Sequence, residues 1–396
     1  MAASAVHYYD ILIAGAGAVG ASLACGLANT GYRIGLIEAL PLDADSTSTH
    51  DGRGLALSLG TQQQLARLGV WPQLAEHANP IEHIHVSHRG HFGVVHLDAE
   101  RLDLSALGYV VPALRLGRAL LAQLQAADNI DFICPATLRE LVQTPTEVRV
   151  TLDMQGAEQT LAAPLLVGAD GSESRVRRLC DIGTTSKDYG QTAIVSTVRP
   201  RQPHRNTAYE RFTADGPFAL LPLRDGRCVS VCCLATDAIE ALMAQSDRDY
   251  GVTLAARFGG RLGGFSDIGE RRSYPLRLVQ SEQQQAGRVL LLGNSVHTLH
   301  PNAAQGFNLG LHDATALAER LRRHAGDPGD PGLLAAYLRQ RGPVQRRVVR
   351  FTDSLAWLFY EPHTFIGPLR TLGMLGLELL PPLQRLLVQR AAGLKA

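Results

Sequence analysis

Residues 11–38 read ILIAGAGAVGASLACGLANTGYRIGLIE, and this stretch decides the fold. The short apolar run at residues 9–14 predicts a buried strand, and the glycine-rich turn after it leads into a predicted helix from about Ala18 to Asn29. Gly31 is expected to stop the helix, and residues 33–37 predict a second strand. The pattern is that of a βαβ unit.

Four residues of this unit have the spacing of a dinucleotide-binding site. Gly15 allows a tight turn, Gly17 lets a pyrophosphate approach the backbone, and Gly20 lets the helix pack closely on the strand. Glu38 ends the second strand, where its carboxylate can accept hydrogen bonds from an adenosine ribose, and its charge would repel a 2′-phosphate. The pattern therefore indicates FAD or NAD rather than NADP, with a ligand-free βα turn as the alternative.

The same stretch raises the question of a membrane span. Residues 11–28 contain only Ser22 as a polar side chain, over 18 residues, which is the minimum length for a spanning helix. Four of the 18 are glycines, and no basic segment precedes them as in a signal peptide. We therefore predict a strand, a turn and a helix here, and no spanning segment.

Composition narrows the class of protein further. The chain has 396 residues, 45% hydrophobic and 19% charged, with a formal net charge of +1, which is typical of a globular protein with two or three cores and argues against nucleic-acid binding. Six scattered cysteines without a Cys-x-x-Cys pair favour a reducing, cytoplasmic compartment. Lys187 and Lys395 are the only lysines, so a Walker-type phosphate loop is excluded and a Schiff-base lysine is disfavoured.

Two later segments repeat the pattern of an apolar strand followed by a loop of small and polar residues. Residues 165–178 read LLVGADGSESRVRR, and residues 290–314 read LLLGNSVHTLHPNAAQGFNLGLHDA, with a helix predicted to begin near Gln305. In order and spacing, the three segments resemble those of the FAD-dependent aromatic hydroxylases that have a single Rossmann domain. The resemblance covers nearly the whole chain and is strongest with the hydroxylases of ubiquinone biosynthesis. It rests on the stretches 53–57 (RGLAL), 63–71 (QQLARLGVW), 86–91 (VSHRGH), 210–213 (ERFT), 216–217 (GP), 221–222 (LP), 298–301 (TLHP), 305–310 (QGFNLG) and 352–355 (TDSL).

The resemblance implies a set of FAD-binding residues beyond the first motif. Backbone N–H groups at the start of the third segment's helix would face the N1–C2 edge of the isoalloxazine, where the positive helix end stabilises negative charge on reduced flavin. The implied contacts are Arg53 at the ribityl or pyrophosphate region, Arg118 at a position that usually makes a polar contact with the flavin, Asp170 and Gly171 in the second segment, Gly293 and Asn294 after the third strand, and Pro301, Gln305, Gly306, Phe307 and Asn308 against the flavin ring.

Two positions depart from the family pattern. Asn294 stands where the family usually has Asp, and its side-chain carbonyl can still accept a hydrogen bond from a ribityl hydroxyl. Asn at this position also occurs in the branch that acts on 2-polyprenyl-6-methoxyphenol. Ala304 replaces a common glycine, so we expect this residue to avoid positive φ.

The implied chemistry needs no protein nucleophile. NAD(P)H would reduce FAD, and a flavin C4a-hydroperoxide formed with O₂ would hydroxylate the ring of a 2-polyprenyl-6-methoxyphenol. Pro222 and the loop at residues 299–301 are the predicted substrate walls. His297 and His300 are candidates for a base, with purely structural roles as the alternative for both.

No metal site is predicted. His83, His85, His88 and His91 cluster in one stretch, but no cysteine or carboxylate pattern completes a tetrahedral site, and we expect solvated or packed histidines. Arg339, Arg341, Arg346, Arg347 and Arg350 predict a solvated helix face, with an anion or lipid-headgroup site as the alternative.

We therefore predict an α/β protein with a single-Rossmann FAD-binding domain of the aromatic-hydroxylase type, an interleaved β-sheet substrate domain and a helical C-terminus. The expected FAD domain comprises 1–75, 108–180 and 278–330, the substrate domain comprises 76–107 and 181–277, and 331–396 form the C-terminal region. Its leucines would pack on the FAD domain or lie on the inner membrane as a peripheral contact. The alternatives for function are the same flavin chemistry on another aromatic substrate or ring position, and a flavin-containing subunit that holds a biosynthetic complex together.

Overall fold

A computed structural model of the protein describes residues 6–41, 54–91, 93–301, 304–360 and 366–391. The strands, in chain order, are β1 (His7–Tyr8), β2 (Ile11–Ala14), β3 (Ile34–Ile37), β4 (Gly54–Ser58), β5 (Asn79–Ile81), β6 (His83–His88), β7 (Val94–Asp98), β8 (Gly108–Pro112), β9 (Ile130–Ile133), β10 (Thr137–Gln143), β11 (Val148–Met154), β12 (Ala157–Ala163), β13 (Leu165–Gly168), β14 (Thr184–Pro200), β15 (Thr207–Thr213), β16 (Gly216–Pro222), β17 (Cys228–Ala235), β18 (Phe265–Ser266), β19 (Arg272–Ser281), β20 (Gln285–Ala286), β21 (Val289–Leu291) and β22 (His297–Thr298). The α-helices are α1 (Ala18–Leu27), α2 (Leu59–Arg67), α3 (Trp71–Leu74), α4 (Ala113–Gln125), α5 (Arg175–Leu179), α6 (Ile239–Met243), α7 (Asp247–Phe258), α8 (Gln305–Arg322), α9 (Pro331–Tyr360), α10 (Ile366–Leu379) and α11 (Pro381–Ala391).

A six-stranded sheet in the order β20-β21-β13-β2-β3-β9 carries the glycine-rich segment. The five strands from β21 to β9 run parallel, which is possible because α1 connects β2 to β3 as a crossover helix. Side chains alternate along β2, so that Ile11 and Ile13 join one core with α1, α4 and α8, while Leu12 and Ala14 join a second core under β10–β12. Both faces of this sheet are therefore covered.

The predicted βαβ unit is present, with one difference at the end of its helix. Helix α1 begins at Ala18 as predicted but ends at Leu27, before Gly31. Asn29 adopts φ +55°, a left-handed conformation that asparagine tolerates better than most residues. The Asn129 side chain donates to the Leu27 carbonyl at 3.1 Å and accepts from the Asn29 N–H at 2.9 Å, so a contact distant in sequence ends the helix.

A nine-stranded sheet forms the second layer of the molecule, with the main path β22-β19-β14-β17-β16-β15-β6-β7. The central strands of one face pack against α6 and α7, where Phe218 and Cys232 of the sheet and Tyr250 of α7 are buried in one core. The opposite face packs in part on α9–α11 through Phe212, Phe359 and other apolar side chains. The predicted α/β class, with several sheets and a C-terminal helical region, is confirmed, while the residue boundaries of the domains stay a prediction.

Among the residues described, no helix combines the length and the apolarity needed to cross a bilayer.

Candidate functional site

The glycine-rich turn connects β2 to α1 at the carboxyl edge of the parallel sheet. A methyl group placed on Gly20 would come within 1.9 Å of the Gly15 carbonyl oxygen, and one on Gly15 within 2.5 Å of the Ala169 oxygen. Gly15 also has φ +103°, which favours glycine. A methyl group on Gly17, in contrast, would contact nothing within 4 Å. Two glycines are therefore required by packing, while Gly17 borders open space.

Glu38 lies directly after β3 at the same edge of the sheet. One carboxylate oxygen accepts the Ala16 N–H at 2.7 Å, and the other accepts the Leu40 N–H at 3.0 Å. These bonds fix the carboxylate beside the glycine-rich turn. The position is that of an acid that can accept hydrogen bonds from a ribose lying across the turn.

The second segment, after β13, is ordered by Asp170. Its carboxylate accepts the Ser174 hydroxyl at 2.5 Å and the backbone N–H groups of Arg175 and Val176 at 2.7 and 3.0 Å. These contacts hold the loop that carries Gly171, which adopts φ +84° and has open space where a side chain would be. Asp170 thus shapes the loop, and the neighbouring backbone is accessible to a ligand.

The third segment meets the other two at Gly293 and Ser295. A methyl group on Gly293 would come within 3.1 Å of the Val19 side chain on α1, and the Ser295 hydroxyl donates to the Gly168 carbonyl at 2.6 Å. Asn294 is exposed beside them. The three glycine-containing segments, although more than 100 residues apart in sequence, therefore converge at one edge of the sheet.

Arg177 ties two of these segments together, a role that the sequence analysis missed. Its buried guanidinium donates to the Ser295 carbonyl at 2.9 Å and to the Ser172 carbonyl at 2.8 Å. The signal in the sequence was an arginine that follows the predicted strand and loop. Both acceptors of Arg177 are backbone carbonyls, and one of them is 118 residues away. A pattern of charged residues in the sequence therefore could not reveal these two hydrogen bonds.

The prediction for Ala304 is wrong. This residue adopts φ +50°, the left-handed conformation that it was expected to avoid. Its N–H donates to the Pro301 carbonyl at 2.9 Å, and its own carbonyl accepts from the Asn308 side chain at 2.7 Å. These two bonds hold the turn before α8, so the loop geometry imposes the conformation despite its cost of about 1 kcal/mol for a residue with a Cβ.

Helix α8 begins at Gln305, as predicted, and its first turn faces the same edge. A methyl group on Gly306 would contact nothing within 4 Å, while Phe307 is half-buried against the core that includes α1. The buried Asn308 amide donates to the Ala56 carbonyl at 3.0 Å and accepts from the Ser58 N–H at 2.9 Å. Asn308 therefore braces α8 against β4, and it is the backbone of this first turn that is available to a ligand.

Of the two arginines predicted to contact the flavin cofactor, only Arg118 lies in the described part of the chain. Arg53 lies outside the described residues. Arg118 is half-buried on α4, the helix that packs beside α1 against the parallel sheet.

The two histidines of the third segment are both buried. Burial lowers the pKa of His297 to about 4, an effect to which Arg341 adds, so this ring is neutral at physiological pH. The His300 ring packs edge-on against the Tyr189 ring, with centroids 4.9 Å apart. His297 is buried in the edge strand β22 of the nine-stranded sheet, and His300 packs against Tyr189 of β14 in the same sheet.

A buried ion pair supports α8 from behind. Arg341 on α9 donates to one oxygen of Asp313 at 2.6 Å, and Gln345 donates to the other at 2.8 Å. Both charged side chains are less than a tenth exposed. The expected solvated arginine face is therefore wrong for Arg341, whereas Arg339, Arg346, Arg347 and Arg350 are exposed.

The register of β16 shows which face of the sheet carries Pro222, whose role as a substrate wall stays a prediction. Pro222 is aligned with Cys228, whose side chain belongs to the core under α6 and α7. Leu221, because side chains alternate along a strand, lies on the opposite face and packs against the apolar cluster that includes Phe212 and Phe359. The structure thus brings Leu221, rather than Pro222, to that face.

The histidine-rich stretch forms β6 and contains ordinary packed and paired side chains. His83 contacts Asp98 at 3.0 Å, and the buried His85 ring packs edge-on against His96 at 4.9 Å between centroids. Across the described ranges, no three His, Cys, Asp or Glu side chains are grouped so that they could hold a metal ion. The adjacent Cys232 and Cys233 are buried in β17, as expected for an apolar strand.

Comparison with known proteins supplies the context for this geometry. A family model described as an FAD binding domain matches residues 8–352. The ubiquinone hydroxylase UbiL of Rhodospirillum rubrum is 36% identical over 98% of this chain and 91% of its own length, and the 3-demethoxyubiquinol 3-hydroxylase of Escherichia coli is 32% identical over 79% of each chain. The solved structure of the OxyS anhydrotetracycline hydroxylase of Streptomyces rimosus matches with a TM-score of 0.75 and 25% identity, over 98% of this chain and 76% of that one. The predicted FAD-binding aromatic-hydroxylase fold is confirmed.

Proposed function

Since the chain belongs to the FAD-binding-domain family that includes the ubiquinone hydroxylases, we propose that it is an FAD-dependent monooxygenase that hydroxylates the ring of a 2-polyprenyl-6-methoxyphenol in ubiquinone biosynthesis. The observation that carries the proposal is the convergence of three distant segments around the space beside Gly17. Its partners are the phenol, O₂ as the oxygen source and NAD(P)H as the reductant.

The residues present fit FAD in the following way. Gly17 has open space where a pyrophosphate would approach, and the N-terminus of α1 points its N–H groups toward that space. Glu38 would hold the adenosine ribose, and Asp170 would present the loop with Gly171 to the cofactor. FAD, when bound, supplies the electron transfer and the activation of O₂ that no side chain can provide.

The first turn of α8 would serve the ring of the cofactor. Gly306 leaves open space beside this turn, and Asn308 holds its backbone against β4. Helix N-termini stabilise negative charge, so this turn would favour the reduced, anionic form of the ring. Pro301, Gln305 and Phe307 would complete the ring's surroundings, with Asn294 beside the ribityl chain.

The substrate would lie between this loop and the nine-stranded sheet. That sheet presents one face whose central side chains are apolar and only half-buried, among them Leu221, Val231 and Val195. An apolar, enclosed space binds a methoxyphenol with an isoprenoid tail and excludes water from the reaction. We propose that this sheet, with residues 76–107 and 181–277, is the substrate domain, and that 1–75, 108–180 and 278–330 form the FAD domain.

A polyprenyl substrate resides in a bilayer, so we also propose that the protein works in the cytoplasm at the surface of the inner membrane. Support comes from α10 and α11, where leucines at spacings of three and four residues are exposed. Leu372, Leu375 and Leu379 on α10 are 64%, 38% and 72% exposed, and Leu383 and Leu386 on α11 are 41% and 44% exposed. Exposed leucines at this spacing give each helix an apolar face that can enter the interfacial region of a bilayer.

The experiment that tests the membrane contact is vesicle flotation. The FAD-loaded protein should float with vesicles that contain anionic lipids, and the double variant Leu372→Ser, Leu379→Ser should float much less while keeping its FAD. Equal flotation of the two proteins would place the contact elsewhere or remove it.

Hydroxylation itself is tested with the purified holoprotein. A 2-prenyl-6-methoxyphenol with a short tail should stimulate NAD(P)H oxidation and yield a product that is heavier by one oxygen atom. Hydroxylation of only a different ubiquinone precursor would favour the alternative that the protein carries out the same flavin chemistry on another aromatic substrate or ring position. The name of the Escherichia coli relative refers to such another intermediate. FAD binding without turnover of any precursor would favour the alternative that the protein is a flavin-containing subunit that holds a biosynthetic complex together.

A further inference from the structure

A single carboxyl group interrupts the apolar face of the nine-stranded sheet. Glu210 lies on β15, and its aligned neighbours are Val86 on β6 and Ala219 on β16. Aligned residues of neighbouring strands present their side chains on the same face. The row continues from Ala219 to Val231 and from there to Val195.

The face on which Glu210 lies is the one proposed to receive the substrate. Ala208 and Phe212 flank Glu210 along the strand, and both belong to the apolar cluster that includes Val229 and Phe359. The opposite face of the same strand is covered, since Tyr209 packs in the core under α7. The side chain of Glu210 therefore lies on the half-buried apolar face that is proposed to receive the substrate, not in the core under α7.

Glu210 is half-buried on this face. In the described portion of the chain, its carboxyl has no hydrogen-bond donor and no cation as a partner. The nearby titratable groups are the Cys233 thiol on β17, which is fully buried, and His88 on β6, whose ring contacts the Phe359 ring. Arg272, at the far end of the row, pairs with Glu270, about 20 Å away at the usual strand spacing.

Partial loss of solvent around a carboxyl group that has no partner disfavours its charged form. The loss of solvent around Glu210 raises its pKa to about 7. A carboxylate with a pKa near neutrality is suited to accept a proton from a substrate hydroxyl and to return it to solvent after the reaction. His297 is less suited because burial, with a smaller contribution from the charge of Arg341, lowers its pKa to about 4.

We propose that the Glu210 carboxylate accepts the hydroxyl proton of the bound phenol. The phenolic O–H bond breaks, a new O–H bond forms on a carboxylate oxygen, and the electron pair stays on the ring oxygen. The resulting phenolate has more nucleophilic ring carbons, which is what oxygen transfer to the ring requires. This role rests on the proposed function, and it makes Glu210 a catalytic residue that touches the substrate.

The first test measures binding without turnover. At pH 8 and with no reductant, the FAD-loaded protein should bind 2-methoxyphenol at least tenfold more tightly than 1,2-dimethoxybenzene, measured by perturbation of the flavin spectrum. Only the phenol can donate a hydrogen bond to Glu210, so the preference should disappear in Glu210→Ala and shrink in Glu210→Gln. Glu158→Gln, at an exposed position on β12, is the matched control and should keep the preference.

The second test measures turnover against pH. In the wild type, kcat/KM should rise with pH through about 7, because the ionised form of Glu210 is the active one. Glu210→Gln is similar in size and should keep its FAD, yet lose at least a hundredfold in kcat/KM and lose this rise. A ring-fluorinated phenol, which ionises more readily, should suffer a smaller loss in Glu210→Gln.

The outcomes separate this role from the function on which it rests. Wild-type hydroxylation together with an unchanged Glu210→Gln pH profile and phenol preference would overturn the role and leave the function standing. A phenol preference that depends on Glu210, with no hydroxylated product from any precursor, would overturn the function and leave the contact standing.

Discussion

Gly17→Ala is the substitution that best separates the needs of the cofactor from those of the fold. Gly17 has φ −61° and ψ 173°, an extended conformation that alanine adopts freely. A methyl group there would meet nothing within 4 Å, so the unliganded protein should tolerate it. The same methyl group would occupy the space into which we place the FAD pyrophosphate.

The expected magnitudes follow from this geometry. Replacing glycine by alanine lowers the conformational entropy of the unfolded chain, which stabilises the folded protein by about 0.4–1 kcal/mol. Alanine is a poorer N-cap residue than glycine, which roughly offsets this gain. The free energy of unfolding of the apoprotein should therefore change by less than about 1 kcal/mol. A steric conflict with the pyrophosphate should weaken FAD binding by tenfold or more, about 1.4 kcal/mol. Gly20→Ala is the contrasting control, because its methyl group would lie 1.9 Å from the Gly15 oxygen and should destabilise the apoprotein itself.

The assay combines urea unfolding of the apoproteins with titration of FAD followed by flavin fluorescence. Wild-type stability with strongly reduced FAD affinity in Gly17→Ala would support the placement. Wild-type affinity in this variant would refute it, since the pyrophosphate could not then lie against Gly17.

Further substitutions probe the rest of the site. Glu38→Arg should lose FAD during gel filtration because a cation replaces the acceptor for the ribose, and unchanged flavin absorbance would count against that contact. Ala304→Gly should raise the free energy of unfolding by about 0.5 kcal/mol in urea titrations, since relief of the φ +50° strain exceeds the added unfolded-state entropy, and a loss of stability would contradict this. Asp313→Ala should cost about 3 kcal/mol by leaving Arg341 buried and unpaired, whereas a cost below 1 kcal/mol in the same assay would show that the ion pair is dispensable. Because the folded-state pKa of His297 is about 4, stability should fall as pH decreases from 6.5 toward 4. Burial lowers the pKa of His85 and His312 to about 4 as well, so His297→Gln should make this part of the curve less steep, and an unaltered slope would show that His297 does not contribute to it.

The local features of the site could be predicted from the sequence. The first strand, the glycine turn and the start of the helix depend on neighbouring residues, and α1 begins at Ala18 and α8 at Gln305 as predicted. The roles of Gly15 and Gly20 follow from the same spacing. Here the local pattern and the tertiary packing agree.

Features that depend on distant partners could not be predicted. The left-handed Ala304 is imposed by hydrogen bonds to Pro301 and Asn308, and Asn129 ends α1 from about 100 residues away. Arg341 appeared only as one of a group of arginines, and Arg177 did not stand out, because a sequence does not show which arginine finds a buried acceptor.

The face on which a strand presents each side chain also needs the pairing of the strands. The register with β17 places Pro222 on the covered face and Leu221 on the apolar one. Glu210 was part of a recognised stretch, yet its position on an apolar face became visible only once its aligned neighbours were known.

The central claim is that this protein transfers an oxygen atom from O₂ to a phenol ring at a bound FAD. The most direct measurement supplies the holoprotein with NAD(P)H, a short-tailed 2-prenyl-6-methoxyphenol and isotopically labelled O₂, and compares labelled product with H₂O₂. We predict a hydroxylated product that carries one labelled oxygen atom, with little H₂O₂. Complete recovery of the consumed O₂ as H₂O₂, with no labelled product from this or another ubiquinone precursor, would contradict the claim.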